Sequence, residues 1–191
     1  MPPFFGIIPR EAIFLSASVN PKTLIIAYGN RDRQDDGAGW HVLALVAARL
    51  GLQAPEQPGE WVETKDGSLR LLYLYQLLPE MAEDLVDYAE VIFADAHNAA
   101  ELLELVFEPV NPTWQHSAFT HHLSIGELLM ITQTLFGRCP EARLLSVRGY
   151  AFEFSQELSP QTQALARQAA EMLYTHLIGE ASALNSKPEK E

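Results

Sequence analysis

Cysteine is almost absent from this chain. Cys139 is the single thiol in 191 residues, which excludes an internal disulfide and any zinc site built on two or four cysteines, and makes a reducing, cytoplasmic location the expectation. No apolar run approaches the ~18 residues a transmembrane helix needs. Basic residues are scarce: 13 Lys and Arg face 25 Asp and Glu, a net charge of −12. Such a surface repels phosphate backbones and anionic lipid, so neither nucleic acid nor a membrane is an expected partner. The first twenty-two residues lack the basic start and unbroken apolar core of a signal peptide. Several catalytic signatures are missing as well. There is no G-x-S-x-G for a nucleophilic serine and no H-E-x-x-H for a zinc peptidase. Neither G-x-G-x-x-G nor G-x-x-x-x-G-K-[ST] occurs, which disfavours a nucleotide site.

What is present is a globular composition, 48% hydrophobic and 20% charged, with length for one domain at the usual ~150 residues each. Residues 1–22 read as an N-terminal extension with early prolines. Residues 23–178 read as a single α/β domain, and the small, polar residues 179–191 as a flexible tail.

Within the domain the hydrophobic period alternates. Thr23–Tyr28, Leu71–Gln76, Val91–Asp95 and Leu144–Val147 are short apolar runs that read as strands buried on both faces. Leu103–Val110 is a weaker alternating strand, and Trp61–Thr64 an edge strand or part of a turn. Helices are expected over Ala38–Leu50 and over Pro79–Tyr88. A third is expected from Ser124, with Glu127 at capping-box spacing and Ile125, Leu128, Leu129 and Leu135 facing inward. A last helix begins at Ser159-Pro160 and turns Leu165, Ala169, Met172 and Leu173 inward. Strand and helix in alternation predict a three-layer α/β sandwich with a largely parallel central sheet flanked by helices. Ligands of such sheets sit beyond the carboxyl ends of the strands, so the turns after them carry the candidate residues.

The first of these turns is GNRDRQDDGAG, Gly29–Gly39, with glycines for tight backbone turns and Asp35-Asp36 at the helix entrance. Either acid could cap the helix; one could cap while the other faces the crevice. Asp95 ends a strand and is a turn former or a site residue. His97, two residues on, reads as a loop histidine. His121 and His122 precede the capped helix, and adjacent side chains diverge, so one at most reaches the same crevice. Two carboxylates and an imidazole at one end of a sheet form a ligand set suited to a borderline divalent cation, with positions open for substrate. Cys139, between a helix and a strand, reads as an ordinary half-buried thiol.

These motifs resemble the [NiFe]-hydrogenase maturation endopeptidases. The likeness rests on Gly29-Asn30, four residues, then Asp35-Asp36-Gly37-Ala38-Gly39; on VIFADA, an apolar strand ending in Asp95-Ala96; on HHLSIGELL; and on ELSPQ before the last helix. It covers Thr23 to Leu177. The resemblance implies a phosphorylase/hydrolase-like fold and metal-binding carboxylates at Asp36 and Asp95, which would also serve catalysis. It implies a histidine ligand at His121, with His122 the near alternative. It further implies recognition of nickel presented by a hydrogenase large-subunit precursor, followed by endoproteolytic removal of that precursor's C-terminal extension. The chain departs from the pattern at Gln76-Leu77-Leu78-Pro79-Glu80, where the family often has a Gly-Gly-Thr-like turn. It also lacks the glycine commonly found before Leu158-Ser159-Pro160. The first departure resembles a divergent branch of the family. Two other functions fit the same residues: a non-catalytic nickel-checking assembly protein, and a metal-dependent hydrolase of another substrate.

Overall fold

The computed structural model describes residues 23–114 and 123–185, with side chains as far as Gly179. Six strands form one sheet: β1 (Thr23–Tyr28), β2 (Trp61–Glu63), β3 (Leu69–Leu74), β4 (Glu90–His97), β5 (Leu105–Pro109) and β6 (Glu141–Arg148). Their spatial order is β2-β3-β1-β4-β6-β5. The four inner strands run parallel, and β2 and β5 close the two edges antiparallel. The inner strands are apolar on both faces because both faces are covered. Helices α1 (Ala38–Arg49) and α4 (Pro160–Asn185) lie on one face, and α2 (Ala82–Leu85) and α3 (Ile125–Phe136) on the other. The expected three-layer sandwich is therefore the observed architecture.

The two cores divide by strand parity. Ile25, Ala27, Ile92, Ala94, Leu145 and Val147 face α1 and α4, while Leu24, Ile26, Val91 and Phe93 face α2 and α3. Alanines at 166, 169 and 170 let α4 lie close on the α1 layer. Full burial of a side chain such as Leu43 or Phe93 contributes ~1.5–3 kcal/mol.

Several expectations are corrected. The helix expected over 79–88 is a single turn, α2, preceded by a short 3₁₀ turn at Pro79–Met81. Leu135 is 67% exposed, because the buried stripe of α3 runs through Ile125, Leu128, Leu129 and Thr132, whose hydroxyl donates to the Leu128 carbonyl. Met172 is 39% exposed and flanks the stripe of Ala166, Ala169, Ala170 and Leu173. β4 runs on to His97, and α4 continues to Asn185, beyond the boundary that composition suggests at 178. The capping box at Ser124 is present in both halves: Ser124 Oγ accepts from Glu127 N, and Glu127 Oε2 accepts from Ser124 N at 2.9 Å.

Topology positions the site. From β1 the chain crosses to β3 on one side and then passes back over β1 to β4 on the other, so the sheet switches direction at the β1–β4 pair. The crevice at the carboxyl ends of these two strands is where such sheets bind ligands.

Candidate functional site

After β1 the backbone doubles back at Gly29, whose φ of +127° suits glycine, and whose absent Cβ would stand 2.2 Å from the Asp36 carbonyl. The turn is locked by its own side chains: Asp32 N donates to Asn30 Oδ1 at 2.9 Å, and Asn30 N donates to Asp36 Oδ2 at 2.9 Å. Gly39 then brings the start of α1 onto the end of β4, where a Cβ would meet the Ala94 carbonyl at 2.3 Å. A bare backbone at 39 is what places the Asp36 turn beside Asp95.

Asp95 is half-buried at the end of β4 on the α3 side of the sheet. Its Oδ1 accepts from Ala96 N at 2.7 Å, and its carboxylate is also hydrogen-bonded by the Tyr28 hydroxyl. Burial pushes its pKa up to about 7; the bonds from Tyr28 and Ala96 pull it down, and the charge of Asp36 adds to the rise. Burial and the adjacent Asp95 in turn hold the Tyr28 hydroxyl far above its ordinary value, so it stays a neutral donor. A cleft of about 490 Å³ opens here, lined by Arg33, Asp36, Ala96, His97, Asn98 and Phe152.

The structure thus brings Asp36 and Asp95 together. His121 and His122 lie outside the described residues. His97, read from sequence as a loop residue, is the last residue of β4 and lines the cleft. Its Nδ1 pairs with Ser146 Oγ at 2.9 Å, and burial lowers its pKa, against a bond to the Leu103 backbone. Cys139 is half-buried, and burial pushes its thiol up, away from nucleophilic chemistry.

Neither acid of the pair caps the helix that follows it. Asp35 instead turns inward and is fully buried. Its Oδ1 accepts from Ser159 N at 2.7 Å. Its Oδ2 accepts from Tyr150 N at 2.8 Å, Ala151 N at 2.9 Å, Ser159 Oγ at 2.7 Å and Thr162 Oγ1 at 2.8 Å. Burial alone would raise its pKa, but these donors outweigh it and the carboxyl lies below its ordinary value. Asp35 therefore clasps the start of α4 and the segment after β6 to the turn that carries Asp36. Sequence reasoning missed this partnership. Its one signal is Ser159-Pro160-Gln161-Thr162, in which Ser159 Oγ accepts from Thr162 N and the pair supplies two hydroxyls to the same acid.

A second buried acid, Glu90, lies at the opposite end of β4, held by Arg143 at 3.2 Å and His176 at 2.9 Å. It is remote from the cleft and acts in packing.

No protein-family model and no curated protein matches this chain. Solved structures do. The hydrogenase maturating endopeptidase HybD from E. coli superposes with a TM-score of 0.61 at 16% identity, covering 83% of this chain and 93% of that one. The hydrogenase 2 maturation peptidase from Thaumarchaeota archaeon SCGC_AB-539-E09 gives 0.54 at 21% identity, over 82% and 97% of the two chains. The [NiFe] hydrogenase maturation protease HycI from Thermococcus kodakarensis KOD1 gives 0.54 at 21% identity, over 84% and 93%. At such identities the likeness is one of fold, and it spans more than four-fifths of this chain. The six-stranded, largely parallel sheet with its Asp36–Asp95 crevice is thus built on the fold of the hydrogenase maturation endopeptidases.

Proposed function

We propose that the protein is an endopeptidase of hydrogenase maturation, which recognises nickel in a [NiFe]-hydrogenase large-subunit precursor and removes that subunit's C-terminal extension. The observation that carries the reading is the convergence of Asp36 and Asp95 at the switch point of a sheet whose solved relatives in fold are such endopeptidases. The motifs around both aspartates support it, since they are the ones that resemble the family.

The donor set suits a borderline divalent cation. Each carboxylate ties one oxygen to a backbone N–H, Asp36 to Asn30 and Asp95 to Ala96, which orients the other. Among the described residues no group of three His, Cys, Asp or Glu is arranged to hold a metal by itself. Two carboxylates alone suit a metal that arrives with ligands of its own. In this reading the nickel is part of the substrate, Asp36 and Asp95 contact it, and His121 or His122 supplies the imidazole. The scissile peptide then lies in the cleft between Arg33 and Phe152. Tyr28 holds Asp95 in place and donates to it throughout. A water beside the carboxylates completes hydrolysis, with a carboxylate in reach to take its proton.

The test is mass spectrometry of nickel-loaded and nickel-free large-subunit precursor, each incubated with the protein. Loss of a C-terminal peptide from the loaded form alone is the expected result. Asp36→Asn and Asp95→Asn should each abolish release while remaining folded. Equal cleavage of both precursor forms would remove the nickel requirement. Binding of the precursor without peptide release would replace the endopeptidase with an assembly protein.

A further inference from the structure

The segment from Gly149 to Leu158 is a strap that leads from β6 to α4 and brings Phe152 to one wall of the cleft. Its aromatic residues alternate: Tyr150, Phe152 and Phe154. The chain bends at Glu153 and Phe154, between a half-buried Phe152 and a fully presented Phe154. Phe152 lines the cleft beside Asp36. Phe154 is 90% exposed, the most exposed of the large apolar side chains among the described residues.

That exposure is held in place rather than left to a loose loop. Glu153 N donates to Gln34 Oε1 at 3.3 Å, and Ser155 N donates to the Asp32 carbonyl at 3.1 Å. Gln34 N donates to the Ser155 carbonyl at 2.7 Å, and Arg33 donates to the Phe152 carbonyl at 3.3 Å. Upstream, Tyr150 N and Ala151 N are fixed on Asp35. At Gly149 a Cβ would stand 2.6 Å from Phe152 Cζ and 3.0 Å from Asp35 Cβ, so the bare glycine lets the Phe152 ring fold in against the clasp. Residues on both sides of Phe154 are thus pinned to the turn that carries Asp36, and the ring is kept in water. An exposed aromatic on a pinned backbone, two residues from one that lines a cleft, is the kind of residue that anchors a polypeptide, because little backbone freedom is lost when it is covered.

We propose that this strap is the wall against which the polypeptide substrate lies. Phe152 and Phe154 are its specificity-determining residues, receiving apolar side chains of an extended segment that flank the bond presented to Asp36 and Asp95. The Asp35 clasp ties this wall to the turn that carries Asp36. The inference rests on the endopeptidase reading for the identity of the bond, and on the strap's geometry alone for the binding surface.

The experiment measures both steady-state peptide release and the dissociation constant for the immobilised large-subunit precursor. It compares wild type, Phe154→Ala, Phe154→Leu, Phe152→Ala and, as control, Leu135→Ala, an exposed apolar residue on α3. Phe154 packs on nothing that Phe154→Ala would unsettle, so its melting temperature should equal that of wild type. Expected are a rise of roughly fivefold or more in KM and Kd for Phe154→Ala and Phe152→Ala, as for an interface anchor. In Phe154→Ala kcat should stay within twofold, Phe154→Leu should recover most of the loss, and Leu135→Ala should match wild type. A Phe154→Ala variant within twofold of wild type in both KM and Kd overturns the proposal, as does an equal loss in Leu135→Ala. If wild type binds the precursor but releases no peptide, the endopeptidase reading fails while the Kd series still decides the strap. If wild type neither binds nor cleaves, both fall.

Discussion

Asp95→Asn should stabilise the metal-free protein, by an amount that depends on pH, while abolishing the peptide release proposed for it. In the folded chain the carboxyl has a pKa of about 7, against the ordinary 3.8, chiefly because ionising this largely desolvated carboxyl costs solvation. Between those two values the folded chain binds more protons than the unfolded one, so wild-type stability falls as pH rises through that window. At about 1.36 kcal/mol per pH unit, the ionisation cost is about 2 kcal/mol at pH 5 and about 4 kcal/mol at pH 8. Asparagine does not titrate, and it preserves the local bonds. Its amide oxygen accepts from Ala96 N as Oδ1 does, and its amide nitrogen donates to the Tyr28 hydroxyl, which serves equally well as acceptor. With water at the cleft mouth screening part of the charge, the advantage of the variant should therefore widen by ~1–3 kcal/mol from pH 5 to pH 8. For a chain of this size that is ~3–10 °C in melting temperature. Paired thermal melts of wild type and variant in chelator at both pH values measure it. A difference in melting temperature that is the same at pH 5 and pH 8 would refute the argument, because a purely steric effect of the substitution does not follow proton uptake.

The remaining expectations address neighbouring residues. Asp35→Asn should lower stability by ~1–3 kcal/mol, since either amide orientation sets an NH₂ against backbone N–H donors, Ser159 on one side or Tyr150 and Ala151 on the other; a melting temperature equal to wild type would count against the clasp. Because that carboxyl sits below its ordinary value, its contribution is complete above pH ~4 and is lost as pH falls through the folded pKa, so the deficit of Asp35→Asn should shrink in acid melts. Gly39→Ala should stop peptide release even where the variant remains folded, because the new methyl meets the Ala94 carbonyl at 2.3 Å and drives the Asp36 turn off β4; full activity would show that the close approach is dispensable. Ser124→Ala should cost ~1 kcal/mol by denaturant titration through loss of the capping box, since its hydroxyl no longer accepts from Glu127 N.

Most of the frame was legible in the sequence because it rests on local rules. Period-two and unbroken apolar runs marked the strands, and Ser124 with Glu127 and Ser159 with Pro160 marked two helix starts within a residue. Where local rules compete with cover from elsewhere, they fell short. Pro79–Tyr88 has a helical pattern but winds for only one α turn. Leu135 and Met172 have the helical spacing but not the neighbours that would bury them.

The site divides in the same way. Gly29, Asn30, the acid pair, Gly39 and Asp95 stand out in the chain because tight turns and strand ends demand particular residue types at short spacing. Which acid of the pair faces the crevice is not a local matter. Asp35 and Asp36 are adjacent and chemically alike, and their separation into a buried clasp and a cleft carboxylate is made by Tyr150, Ala151, Ser159 and Thr162, more than a hundred residues away. The same holds for Asp95: its residue type is visible in the sequence, but its raised pKa comes from burial and from the charge of Asp36 across the β1–β4 switch point. Sequence alone determined the elements, their alternation and the chemical types at the strand ends, since these depend on backbone geometry within a few residues. Tertiary structure alone decided which carboxylate lines the cleft and which fastens the turn, since solvation and charge are set by whatever the fold packs alongside.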